Sequence, residues 1–159
     1  PWQRRGDRVS ASTPEQSEIA ARVRDSFARQ SIMTTLGAEV AAVRPGEVEI
    51  VLPFSDRILQ QHGFIHAGAV ATIADSACGY AALTVMPRDA AVLTTEFKIN
   101  LLSPAKGDRL RAVGRVIRSG KTLVVTLGEV FAETAGASKQ VAMITATMMV
   151  VSTGTGLRD

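Results

Sequence analysis

The chain has 159 residues, 46% hydrophobic and 21% charged, with a net charge of +3 at pH 7. That length suits one domain with a real core, and that balance argues against disorder. A single cysteine, Cys78, excludes an internal disulfide, while one Trp, one Tyr and no long Lys/Arg run argue against nucleic acid as a partner.

No signal-like segment is visible, and no stretch reaches the ~18 uninterrupted apolar residues of a membrane span, so a cytoplasmic protein with no membrane partner is expected. Residues 1–12 are polar and basic and read as a flexible arm. Residues 13–159 read as a single domain. Thr13 and Pro14 form a helix start, a capping hydroxyl followed by proline at the first helical position. The helix is expected over Pro14 to Gln30, with Ile19, Ala20, Val23 and Phe27 on an apolar face and Arg22, Arg24 and Arg29 on a solvated one. After Gly37 the period changes to two. Ala38–Val43 and Glu47–Leu52 read as a hairpin turned by Arg44-Pro45-Gly46.

A loop then leads to the central stretch, a helix expected from Ala67 to about Val85 and stopped by Pro87. Nearly all its residues are small or apolar, the mark of a buried helix. Four strands follow: Ala91–Leu102, Asp108–Arg118, Thr122–Glu133 and Lys139–Ser152. On the first, Thr95, Phe97, Ile99 and Leu101 share a face. The last is apolar on both faces and is expected to be covered on both. A long helix without a polar face must be wrapped, and four long strands can supply a curved antiparallel sheet. The fold class is therefore α+β.

Asp75 interrupts this apolar helix, and a buried carboxylate is either paired or functional. His66 lies nine positions earlier, about 13 Å along the axis and on the opposite face, so the two cannot pair within one chain. No G-x-S-x-G elbow or zinc-ligand spacing is present. The helix start offers different chemistry. Gly63, Ala67 and Gly68 leave backbone N–H groups accessible, and such groups can hold an oxyanion. Ala67 and Asp75 are about 12 Å apart on one helix. Both can touch one substrate carbonyl only if they come from different chains, which places the active site at a dimer interface.

The pattern Gln60-x-x-Gly63-x-x-His66-Ala67-Gly68 followed by Asp75 resembles the signature of hotdog-fold acyl-CoA thioesterases, in particular the phenylacetate-degradation (PaaI-type) group. Thr95 to Asn100 with Ser103-Pro104-Ala105, and Gly114 through Arg118-Ser119-Gly120-Lys121-Thr122, resemble that group's following strands. The resemblance implies a hotdog fold, a homodimer assembling to a homotetramer, and hydrolysis of acyl-CoA, with coenzyme A present only as part of the substrate and no metal. It implies Asp75 as base or nucleophile, the Ala67 N–H as oxyanion donor, His66 as the residue fixing that loop, Gln60 as the amide orienting water or thioester, and Thr94 as a hydroxyl assisting the carboxylate. Gly63 and Gly68 would line the substrate, and Arg118, Ser119, Gly120 and Lys121 would meet the CoA phosphates, unless they are simply a solvated turn with Gly120 at positive φ. Two departures stand out: His-Ala-Gly where the family often has His-Gly-Gly, and Gln60 where the PaaI-type group often has Asn. A non-catalytic acyl-CoA-binding module and a hotdog hydratase or dehydratase are the alternatives.

Overall fold

One antiparallel sheet wraps one long helix in the computed structural model, which describes residues 13–152, 154, 156, 157 and 159. The expected N-terminal arm lies outside the described residues. Helix α1 spans Pro14–Ala28, α2 Ser31–Leu36 and the central α3 Ala67–Leu83. The strands are β1 Glu39–Arg44, β2 Glu47–Pro53, β3 Ala91–Leu101, β4 Arg109–Ser119, β5 Leu123–Thr134 and β6 Ala137–Val151.

Thr13 caps α1 as its chemistry predicts. Its hydroxyl accepts from the Gln16 N–H while the Gln16 side chain accepts from the Thr13 N–H, a reciprocal box. The helix stops at Ala28 rather than Gln30, and Gln30 is instead the N-cap position of α2, an element the periodicity does not reveal. Arg22 and Arg24 are not simply solvated: they donate to the carbonyls of Ala90 and Val40 and tie α1 to the fold.

The strand order is β1-β2-β4-β5-β6-β3, so β3 follows the helix yet forms one edge of the sheet. Side chains of one sheet face and α3 make the core. Ile73, Ala74, Ala77, Cys78, Ala81 and Leu83 on the helix meet Leu110, Ala112, Val124, Ile144 and Met148 on the strands, all essentially inaccessible. Two glycines set how closely they meet. Gly114 and Gly128 are paired across β4 and β5 beneath the helix. A Cβ on Gly114 would lie 2.3 Å from the carbonyl of Ala77, and one on Gly128 2.8 Å from Cys78 Sγ. The small residues of α3 and these glycines are thus one device for bringing helix backbone onto sheet backbone. Cys78 sits inside it, and burial pushes its thiol up to about 12. That makes it a core side chain and a poor nucleophile.

Two expectations about the strands are corrected. Within one chain strand β6 is fully covered on one face, at Ala142, Ile144, Ala146 and Met148, while on the other Val151 is buried, Met143 and Thr147 are half-buried, and Thr145 and Met149 are exposed. Strand β3 does not alternate without interruption. A bulge at Thr95 shifts the register between Thr94 and Glu96, so Thr94 pairs with Met148 and Phe97 with Ala146, both on the helix side. Thr95 therefore drops out of the face shared by Phe97, Ile99 and Leu101.

Candidate active site

The helix start is built by a short loop. Ser55 caps a single turn at Asp56–Ile58, and Gly63, at φ 80°, reverses the chain. His66 N–H then donates to the Ile58 carbonyl. His66 is the N-cap of α3, and its Nδ1 accepts from the Gly68 N–H at 2.8 Å. That bond requires an unprotonated Nδ1. It engages the second amide of the helix and leaves the first, Ala67 N–H, without a partner among the described residues. Ala67 is exposed. An open amide at a helix start, carrying the positive end of the dipole, suits a developing negative oxygen.

Gln60 stands beside it. Its side-chain oxygen accepts from the His62 N–H, and its amide nitrogen has no partner among the described residues. Gln60 and Ala67 both line a cavity of about 480 Å³ whose other walls include Phe64, Leu101, Leu102 and Pro104. A largely apolar cleft with two convergent donors fits an acyl or pantetheine segment.

Asp75 lies elsewhere. It is half-buried one face around the helix, and Oδ1 accepts from the Thr94 hydroxyl at 2.9 Å. Burial raises its carboxyl above the usual range, and the Thr94 bond works in the opposite direction. Thr72 does not serve it: that hydroxyl donates back to the Gly68 carbonyl. Asp75 and Thr94 wall a second, smaller pocket, shared with Gln30, Ser76 and Tyr80. No residue is common to the two pockets. The structure therefore joins Asp75 to Thr94, and Ala67 to Gln60, but within one chain it does not join the two pairs.

The turn from Arg118 to Lys121 is exposed and stands at the Thr94 end of the sheet, since Val124 pairs with Met148 and Met148 with Thr94. Gly120 is not at positive φ. It is glycine for room: a Cβ would lie 2.8 Å from the Leu123 carbonyl, which accepts from the Gly120 N–H. His62 lies on the loop surface. Among the described residues no three His, Cys, Asp or Glu side chains are placed to share a metal ion, and no helix is long and apolar enough to cross a membrane. Gln30 and Tyr80 are the site neighbours that the sequence does not announce. Gln30 follows the last turn of one helix and Tyr80 looks like ordinary core.

The thioesterase superfamily profile matches residues 62–138, from the loop before α3 to the start of β6. A solved thioesterase family protein from Silicibacter pomeroyi is 48% identical, covering 84% of this chain and 98% of its own, with a TM-score of 0.82. The chain belongs to the thioesterase superfamily. The E. coli PaaI protein, from the phenylacetic acid degradation operon, superimposes with a TM-score of 0.77 over 86% of this chain and 95% of its own, and at 20% identity this likeness shows the hotdog fold alone. A 1,4-dihydroxy-2-naphthoyl-CoA hydrolase of Listeria monocytogenes is 24% identical over 94 residues, 59% of this chain and 76% of that protein. Thioester hydrolysis is the chemistry this superfamily carries.

Proposed function

We propose that the protein is a PaaI-type acyl-CoA thioesterase whose active site is completed between two copies of the chain. One observation carries the reading: an open oxyanion donor and a desolvated carboxylate lie on one helix, about 12 Å apart and in separate pockets. Strand β3 supplies the means of joining them. It is an eleven-residue edge strand, and Leu93 (44%), Phe97 (45%) and Leu101 (54%) are exposed along it. Long bare edges are normally paired or covered. Two β3 strands pairing antiparallel about a two-fold near Phe97 would set the Thr94 end of one chain beside the Leu101 end of the other. Asp75 of one copy would then face Ala67 and Gln60 of its partner. The open outer face of β6 and β5, with Met149, Leu123 and Val125 exposed, suits a further pairing of dimers into a tetramer.

In this site the thioester carbonyl oxygen lies on the Ala67 N–H, and Gln60 offers its amide nitrogen to the same region. Asp75, oriented by Thr94, takes the proton from water as the water oxygen attacks the carbonyl carbon. The tetrahedral oxyanion collapses with loss of the thiolate, which is protonated to give free CoA and the carboxylic acid. Arg118 and Lys121, at the rim on the Asp75 side, offer cations to the CoA phosphates without a large desolvation cost. The named activity of the Listeria relative, on an aromatic acyl-CoA, supports this substrate class. Thiol release from aryl and straight-chain acyl-CoAs tests the reading. Wild type should release thiol from at least one, and Asp75→Asn should lower that rate at least about 100-fold. Binding of acyl-CoA without release would instead make the protein a binding module.

A further inference from the structure

The small pocket that Asp75 walls is more than the rear of the site. It measures about 100 Å³ and lies between α3, β3, the junction of α1 with α2 and the side chain of Asp159. Its side chains form a hydrogen-bond chain with a single direction. The Ser76 hydroxyl donates to Gln30 Oε1 at 3.5 Å, and Gln30 Nε2 donates to the Tyr80 oxygen at 2.8 Å. Ser26 directs its one proton at the Asp159 carboxylate, 3.1 Å away, so the 3.2 Å contact between Tyr80 and Ser26 must be donated by Tyr80. This chain fixes the Gln30 amide across from Asp75.

Gly79 is the second observation. It falls four residues after Asp75 and on the same face of α3. Glycine inside a helix is unfavourable, so it asks for a reason. For Gly114 and Gly128 the reason is close approach of the helix to the sheet. Gly79 has no such reason: a Cβ there would meet only the Met148 sulfur, at an ordinary 4.0 Å. What the missing side chain preserves is the space beside Asp75.

The size and polarity of that space point to its occupant. At ~30 Å³ per molecule it has room for about three waters, and it is smaller than the ~150 Å³ apolar cavity known to admit benzene. Carboxylate, amide and hydroxyl groups line it, and polar cavities hold water where apolar ones stay dry. An acyl group is better served by the larger, apolar cleft at Ala67. An acyl-CoA seated across the open side of the site would exclude bulk solvent. The nucleophile then needs a source of its own.

We propose that this pocket stores and orients the hydrolytic water, with Gln30 as a positioning residue and Gly79 keeping the space open. The inference rests on the thioesterase reading. A water at the pocket mouth gives its proton to the Asp75 carboxylate as its oxygen bonds to the thioester carbon. The C–S bond then breaks and the departing thiolate recovers that proton, while the next stored water moves up.

The test is steady-state kinetics of Gly79→Ala, Gly79→Val, Gln30→Leu and Gln30→Glu on two acyl-CoAs, one aryl and one straight-chain, with thermal unfolding as the check on folding. The expected result is a graded fall in kcat with side-chain size at position 79, about tenfold or more for Val, with KM and the preference between the two substrates changed less than about twofold. Gln30→Glu keeps the acceptor for Ser76 and should retain more kcat than Gln30→Leu. A shift in acyl preference or a rise in KM would show that the pocket holds the acyl group and overturn the proposal, as would an unchanged kcat in folded variants. A wild type that cleaves no thioester would remove the thioesterase reading itself.

Discussion

Asp75 shows at the scale of one residue how the site conflicts with stability. Its carboxyl is raised above the ordinary range because the helix around it is apolar. Between the unfolded and folded pKa the folded chain binds more protons, so stability falls as pH rises through that window and stays lower above it. Asp75→Asn should therefore unfold at a higher Tm than wild type at pH 7, with the gap closing as pH falls below the carboxylate range, and the same variant should lose thioesterase activity. A Tm equal to or below wild type at pH 7 would count against a desolvated carboxylate. With Asp75 as the proposed base, activity requires the ionised form, so the acid limb of the kcat/KM profile should lie above the usual carboxylate value. Thr94→Val removes the bond that holds it down, so its limb should move to still higher pH. His66 acts on backbone. Replacing it with Ala should cost about 1 kcal/mol in chemical denaturation, whereas Asn, a good N-cap, should recover most of that.

At the scale of elements, the helix and sheet meet through glycines. Gly114→Ala forces a Cβ against the Ala77 carbonyl, which cannot rotate away, so a loss of about 3 kcal/mol or more is expected in urea unfolding. Gly128→Ala meets Ile144 Cγ2 and Cys78 Sγ, side-chain atoms rather than backbone, and should cost less, with Cys78→Ala in the same chain relieving part of it. Much of this level was legible in sequence. Gly46 and Gly136 mark their turns at positive φ, and the strand-forming runs between turns located all six strands to within two residues. Three features were not. α2 is too short to show a period. The exposure of one face of β6 depends on what covers the sheet, which its apolar residues do not state. The bulge at Thr95 breaks an alternation that otherwise reads without fault, yet it alone turns the Thr94 hydroxyl toward Asp75. Alternation favours Thr95 for the inner face, and family resemblance pointed to Thr94. The resemblance located the hydroxyl because bulges beside active sites re-aim side chains in ways no period encodes.

For the whole molecule, assembly turns on β3. Its pairing partner on one side is β6, and among the described residues no strand pairs with its other side. A dimer joined there would make one continuous sheet from two, with the helix start of each copy serving the carboxylate of the other. Phe97→Arg together with Leu93→Arg should yield a folded monomer by sedimentation velocity, with Asp75 and Ala67 both intact and no thioesterase activity. An active monomer would show that one chain suffices. Complementation between two inactive variants, Asp75→Asn and Gln60→Ala, unfolded and refolded together, decides whether two chains share each site. A shared site predicts that mixed dimers regain one intact centre each, returning about a quarter of wild-type thiol release at equal mixing in a two-fold assembly. Activity no greater than the average of the two parents would contradict it, and would place the whole active site within one chain.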